Sequence, residues 1–197
     1  MTKSTATLMQ KEHSSPAQLG FWLYIMSDLM LFAAFFATYM ILRPGANDGP
    51  SSGDIFDVNF ALVETLVLLA SSFTCGLAYL AAKYKQKVSF TRWLAATLVL
   101  GLVFLGMEIY EFAEFILAGH GPDHSAFLSG FFSLVGLHGL HITAGIIWGV
   151  VLLGYITKRG LNKNALRRLG LFSVFWHFLD VVWIFIFTIV YLMGVVS

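Results

Sequence analysis

The sequence predicts an all-α, polytopic membrane protein: one bundle of five transmembrane helices, with a cytoplasmic N-terminus and a periplasmic C-terminus. Three observations carry this. Five apolar runs fill most of the 197 residues, and each exceeds the ~20 residues that cross ~30 Å of hydrocarbon. The chain is 58% hydrophobic with a mean hydropathy of +0.78, more apolar than a soluble domain of this length. Lys and Arg gather in alternate loops. Lipid offers the backbone no hydrogen-bond partners, and the runs lack the in–out alternation of barrel strands, so they must be helices.

Residues 1–18 (MTKSTATLMQKEHSSPAQ) are polar and contain no apolar core long enough for a signal peptide, which predicts a short disordered tail. Residues 19–197 form a single transmembrane domain. Span one, 19–42, opens with Trp22 and Tyr24, carries Asp28, and has a smooth face at Ala33, Ala34 and Ala37. The loop RPGANDGPSSGD (43–54) is rich in turn formers. Span two, 58–82, holds Glu64 and Cys75. As the only cysteine, Cys75 can form neither an intrachain disulfide nor a thiolate cluster, and reads as a packing residue. Span three, 93–118, carries Glu108 and Glu111 on one face, with Glu114 near its outer end. AGHGPDHSAF (118–127) breaks the chain before span four, 126–157, which holds His138, His141 and the close-packing pattern Gly145-Ile-Ile-Trp-Gly149. Span five, 169–196, contains His177 and Asp180 flanked by Trp176 and Trp183, with Tyr191 near its outer end.

All 12 basic residues except Arg43 lie in the N-terminal tail, the loop between spans two and three, or the loop between spans four and five. Five spans put these three segments on one side, and the positive-inside rule makes that side cytoplasmic. Asp48, Asp54, Asp57 and Asp123 lie opposite, beside Arg43. A net charge of +1 indicates no polyanionic partner, and no nucleic-acid-binding module is present.

Ionisable groups within spans are costly in lipid and turn toward protein, water or a partner. From the helical rise, two layers are expected. Glu64, Glu108, Glu111, His138 and His141 form an outer-half group. Asp28, His177 and Asp180 lie nearer the middle or the inner half. Facing carboxylates and imidazoles predict at least one Glu–His contact in the outer group. Trp22, Trp176 and Trp183 are candidate lipid contacts, with packing the alternative for the last two, and Tyr191 suits an outer aromatic belt. HxxH on one helix with Glu on another lacks the Glu-x-x-His pattern of di-iron bundles, and one face cannot offer both axial ligands to one haem. No metal site and no catalytic residue are therefore assigned.

Several strings resemble one family: FWLYIMSDLMLFAAFFATYM (21–40), GMEIYEF (106–112), GPDHSAFLSGFF (121–132), GLHGLHITAGIIW (136–148) and WHFLDVVWIFIFTIVYLMG (176–194). From about residue 20 to the C-terminus the chain resembles subunit III of haem-copper respiratory oxidases. Its five spans and GPDHSAFLS loop are most similar to the cytochrome o ubiquinol oxidase branch. The resemblance implies a non-redox accessory subunit of a proton-pumping quinol oxidase in the bacterial inner membrane. Haem and copper would reside in the catalytic subunit I, against which this one packs. It also implies phospholipid in a cleft among the helices and support of steady proton uptake. By the same resemblance Asp28 matches the family's membrane-embedded carboxylate, which is Glu in many relatives. Glu108 and Glu111 match its acidic pair, and His138, His141, His177 and Asp180 match its interior polar positions. The two N-terminal spans of the seven-span form, which wall the lipid cleft, are missing. The residues alone leave open a free-standing proton or cation channel, a subunit III of a cytochrome c oxidase, or an intramembrane metalloenzyme.

Overall fold

The computed structural model describes residues 16–42, 58–119 and 126–193. The expected tail up to residue 15 and the loops 43–57 and 120–125 lie outside them. Five helices are long and apolar enough to cross a membrane: α1 (Pro16–Leu42), α2 (Val58–Lys83), α3 (Lys87–Leu117), α4 (Ala126–Arg159) and α5 (Lys163–Ile186). A π-helical turn, Phe187–Leu192, continues α5.

The helices outrun the apolar segments at their polar ends. α1 begins at Pro16 rather than residue 19, so residues 16–18 of the expected tail are helical; proline suits a first helical position because its missing N–H would have had no intrahelical partner. α5 begins at Lys163 rather than 169, because Asn162 caps it by accepting from Ala165 N–H at 2.8 Å. α3 begins at Lys87 rather than 93. Hydropathy marks the part of a helix that meets lipid, not the turns beyond it.

Two tight turns close the basic end. After α2, Lys85 takes a left-handed conformation (φ 58°). Lys85 N–H reaches Ala82 C=O at 3.0 Å and Gln86 N–H reaches Ala81 C=O at 2.9 Å, the paired bonds of a Schellman motif built without glycine. α4 ends at Gly160 (φ 75°), whose N–H returns to Ile156 C=O at 2.8 Å. Lys87 Nζ donates to Thr157 C=O at 3.0 Å, so both basic loops sit together at one end of the bundle. Arg159 and Arg168 there both face the Tyr155 ring.

Packing follows a simple order. α2 pairs most extensively with α3, α3 with α4, α4 with α5, and α5 with α2, closing a four-helix ring. α1 lies outside the ring, against α4 and more lightly against α5. The buried stripe of α2 (Ala61, Glu64, Thr65, Leu68, Ser71, Ser72, Cys75, Ala78, Ala82) follows the three-and-four spacing of one helical face. Its hydroxyls work as crosspieces. Trp183 Nε1 donates to Thr65 Oγ1 at 3.0 Å, and Thr65 passes its own proton to Ala61 C=O at 2.8 Å. Trp176 Nε1 donates to Ser71 Oγ at 3.1 Å, and Ser71 donates to Thr97 C=O of α3 at 3.0 Å.

Two of the three tryptophans expected to offer lipid contacts are therefore corrected. Trp176 and Trp183 are buried, because an indole N–H at this depth needs an acceptor and α2 supplies one; only Trp22 is exposed. Tyr191 is likewise buried rather than part of an aromatic belt. The small-residue pattern of α4 packs within the chain: Gly145 faces Trp176 and Phe175, and Gly149 faces Leu98 and Phe172.

Gly101 offers a test of this packing, since a Cβ there would lie 2.9 Å from two atoms of the Trp176 indole. Gly101→Ala should lower stability in detergent by about 1–3 kcal/mol through overpacking and loss of the Ser71 bond. Gly154→Ala, with nothing within 4 Å of its Cβ, is the control and should unfold like the parent. Equal thermal unfolding of the two variants would contradict this packing.

Candidate functional site

The polar residues of the spans converge inside the bundle in three places. The first joins α1 to the ring. Asp28 Oδ1 lies 3.0 Å from His141 Nε2, with both side chains largely withdrawn from the surface. The other ring nitrogen, His141 Nδ1, is 2.7 Å from Leu137 C=O one turn back. A carbonyl only accepts, so Nδ1 carries a proton in this geometry. Nε2 and the carboxylate can then bond only by sharing a further proton. The pair is an imidazolium on a carboxylate or an imidazole on a carboxylic acid, differing by the proton's place along one 3.0 Å line. Phe32 packs against the His141 ring with centroids 5.3 Å apart, which keeps the pair dry on that side. Asp28 Oδ2 has no hydrogen-bond partner among the described residues.

The second place is a cluster of three glutamates. Glu64 of α2 lies within electrostatic reach of Glu111 and Glu108 of α3. Tyr191, turned inward by the π-helical segment, donates from its hydroxyl to Glu111 Oε2 at 2.6 Å. The Glu108 carboxylate lies flat against α4, where a Cβ on Gly139 would fall 2.6 Å and 2.8 Å from its two oxygens.

The third lies on α5. Asp180 takes a hydrogen bond from Ser72 of α2. His177 is exposed, and its Nδ1 bonds Ser173 C=O at 2.8 Å in its own helix.

The expected outer group thus divides. Glu64, Glu108 and Glu111 lie within electrostatic reach of one another. The expected Glu–His contact is replaced by the Asp28–His141 pair, which joins the two layers. His138 and His141 are three residues apart and so about 60° apart around the helix axis; His141 faces α1 while His138 points into the ring. There His138 is enclosed by Trp183 and Phe104, with ring centroids 5.2 Å and 5.8 Å away, and neither nitrogen has a hydrogen-bond partner among the described residues. Sequence reasoning set Tyr191 in an aromatic belt and passed over Thr65, Ser71 and Ser72. The hydroxyls on the buried stripe of α2 were the available signal for those three. The π turn that redirects Tyr191 leaves none. Among the described residues no three His, Cys, Asp or Glu side chains are grouped as metal ligands would be.

Five membrane-length helices whose interior polar groups engage one another across helices define a polytopic integral membrane protein with its polar surface turned inward. The sequence profile of cytochrome c oxidase subunit III matches residues 5–195, and the chain belongs to that family. It is 53% identical over 177 residues, covering 90% of this chain and 86% of the relative, to a cytochrome bo(3) ubiquinol oxidase subunit 3 from Pseudomonas putida. A protein of the same description from Buchnera aphidicola is 43% identical over 178 residues, covering 90% of this chain and 92% of its own length. A probable quinol oxidase subunit 3 from Staphylococcus aureus is 43% identical over 199 residues, covering 100% of this chain and 98% of its own.

If Asp28 and His141 are coupled as their geometry indicates, a double-mutant cycle detects it. Asp28→Ala and His141→Ala should each destabilise the bundle by about 1–3 kcal/mol by orphaning a buried partner. The double variant should fall short of their sum by at least about 0.5 kcal/mol. Strict additivity in unfolding measurements would show that the two side chains do not meet.

Proposed function

We propose that this chain is the accessory, non-redox subunit III of a quinol oxidase, a multisubunit enzyme that passes electrons from quinol to oxygen. The observation that carries this reading is the match to quinol oxidase subunits along the whole five-helix bundle, with 100% of this chain aligned to 98% of one relative. In this reading haem and copper belong to a catalytic partner subunit. This chain stabilises that partner, holds lipid beside it and supports proton uptake. The end bearing Lys87, Arg159, Lys163 and Arg168 faces the cytoplasm of a bacterial cell, and the bundle spans the inner membrane.

A groove between α1 and α5 supports the lipid part. Its wide end, about 590 Å³, is bordered by Lys163, Arg167, Trp22 and Tyr79. Farther along the same seam it becomes an apolar trough of about 420 Å³ lined by Ile25, Leu29, Phe32, Phe178, Val182 and Phe185. Basic side chains above a hydrocarbon trough suit an anionic headgroup with its acyl chains along the helices. The groove exists because α1 stands outside the ring and touches α5 lightly, which leaves the seam open.

Deleting the gene for this chain and purifying the remaining oxidase tests the proposal. The haem absorbance per catalytic subunit should persist while the enzyme assembles poorly or inactivates sooner during turnover. Loss of the haem signal from an otherwise assembled core would overturn the accessory role.

A further inference from the structure

The glutamate cluster contains chemistry that the bundle does not satisfy by itself. Glu64 is 0% exposed and Glu108 is 2% exposed. All four of their carboxyl oxygens lack a hydrogen-bond partner among the described residues. His138, 0% exposed, holds two more unpartnered polar atoms nearby on α4. Glu111 and Glu108 of α3 are the carboxyl groups within electrostatic reach of Glu64. Carboxylates gathered in a poorly polarisable interior are costly unless protons or water offset their charge. A protonated carboxyl donates one hydrogen bond, which still leaves acceptors over. Buried groups in this condition are typically bridged by water, which offers two donors and two acceptors in the smallest volume.

We infer that Glu64, Glu108 and Glu111 enclose a hydrated proton site: a small cluster of water molecules that bridges their carboxyl groups and shares protons with them. Tyr191 and Gly139 form two of its walls. Tyr191 O–H, 2.6 Å from Glu111 Oε2, caps one side. The bare backbone of Gly139 admits the Glu108 carboxylate on another. The ligand is water with exchangeable protons. The site is distinct from the Asp28–His141 pair, whose proton lies between two protein atoms with no water required. It depends on the bundle interior and not on which donor the oxidase uses.

Infrared spectroscopy of the assembled oxidase tests it, with wild type, Glu64→Gln and Glu108→Gln compared in H2O and D2O. Wild type should show a protonated-carboxyl C=O stretch that shifts down in D2O, and each Gln variant should lose part of that band. A band that survives unchanged in both variants, or that fails to shift after full exchange, overturns the site. So does a stoichiometric inorganic cation in wild type that both variants lose. Should the variants fail to assemble, a high-resolution map of the wild-type oxidase decides: ordered water between Glu64 and Glu108 supports the site, and carboxyl groups packed dry against protein refute it.

Discussion

The requirement that no ionisable or N–H group face hydrocarbon unpartnered organises this molecule. Hydrophobicity alone cannot orient helices in lipid, because lipid chains are as apolar as leucine. Specific bonds set the rotation of each helix instead. The Asp28–His141 bond turns α1 toward α4. The two indole–hydroxyl bonds, from Trp176 and Trp183 to Ser71 and Thr65, turn α5 toward α2. The Tyr191–Glu111 bond draws the end of the fifth span onto α3. Each bond joins different helices, so together they fix the ring from several directions. Packing of glycines against indoles and phenylalanines completes it.

Much of this was legible in the sequence. Hydropathy located all five helices, and the basic loops implied a common end that the Lys87–Thr157 contact realises. Depth also brought the three glutamates together correctly. Depth says nothing about rotation, however, and rotation decides partners. His138 and His141 share a depth to within one turn, yet one lies among aromatic rings and the other on Asp28. A single sequence does not reveal which side of α4 meets α1. Trp176 and Trp183 misled for a related reason. Hydropathy counts an indole as membrane-compatible, whereas its N–H had found acceptors on the one polar stripe of α2. Tyr191 was hidden by backbone geometry, because a π-helical turn displaces its side chain from the position an unbroken α-helix would give.

The placement of α1 links fold to function. A helix held at the edge of a four-helix ring by the Asp28–His141 pair and by aromatic contacts such as Phe21–Trp148 leaves an open seam beside it. The seam is basic at one end and apolar along its length. Along that seam the side chains are apolar, while Asp28, Glu64, Glu108, Glu111 and Asp180 stay buried. Asp28 bonds His141 and Tyr191 bonds Glu111 inside the bundle, while Glu64, Glu108 and His138 are enclosed there without a hydrogen-bond partner among the described residues.

The most direct test of this account is an experimental structure of the oxidase in a lipid bilayer, read at the side chains that clamp the helices. The account predicts the Asp28 carboxyl within hydrogen-bond distance of the His141 imidazole, and the indoles of Trp176 and Trp183 directed at Ser71 and Thr65. Asp28 separated from His141, with those indoles facing lipid, would contradict it.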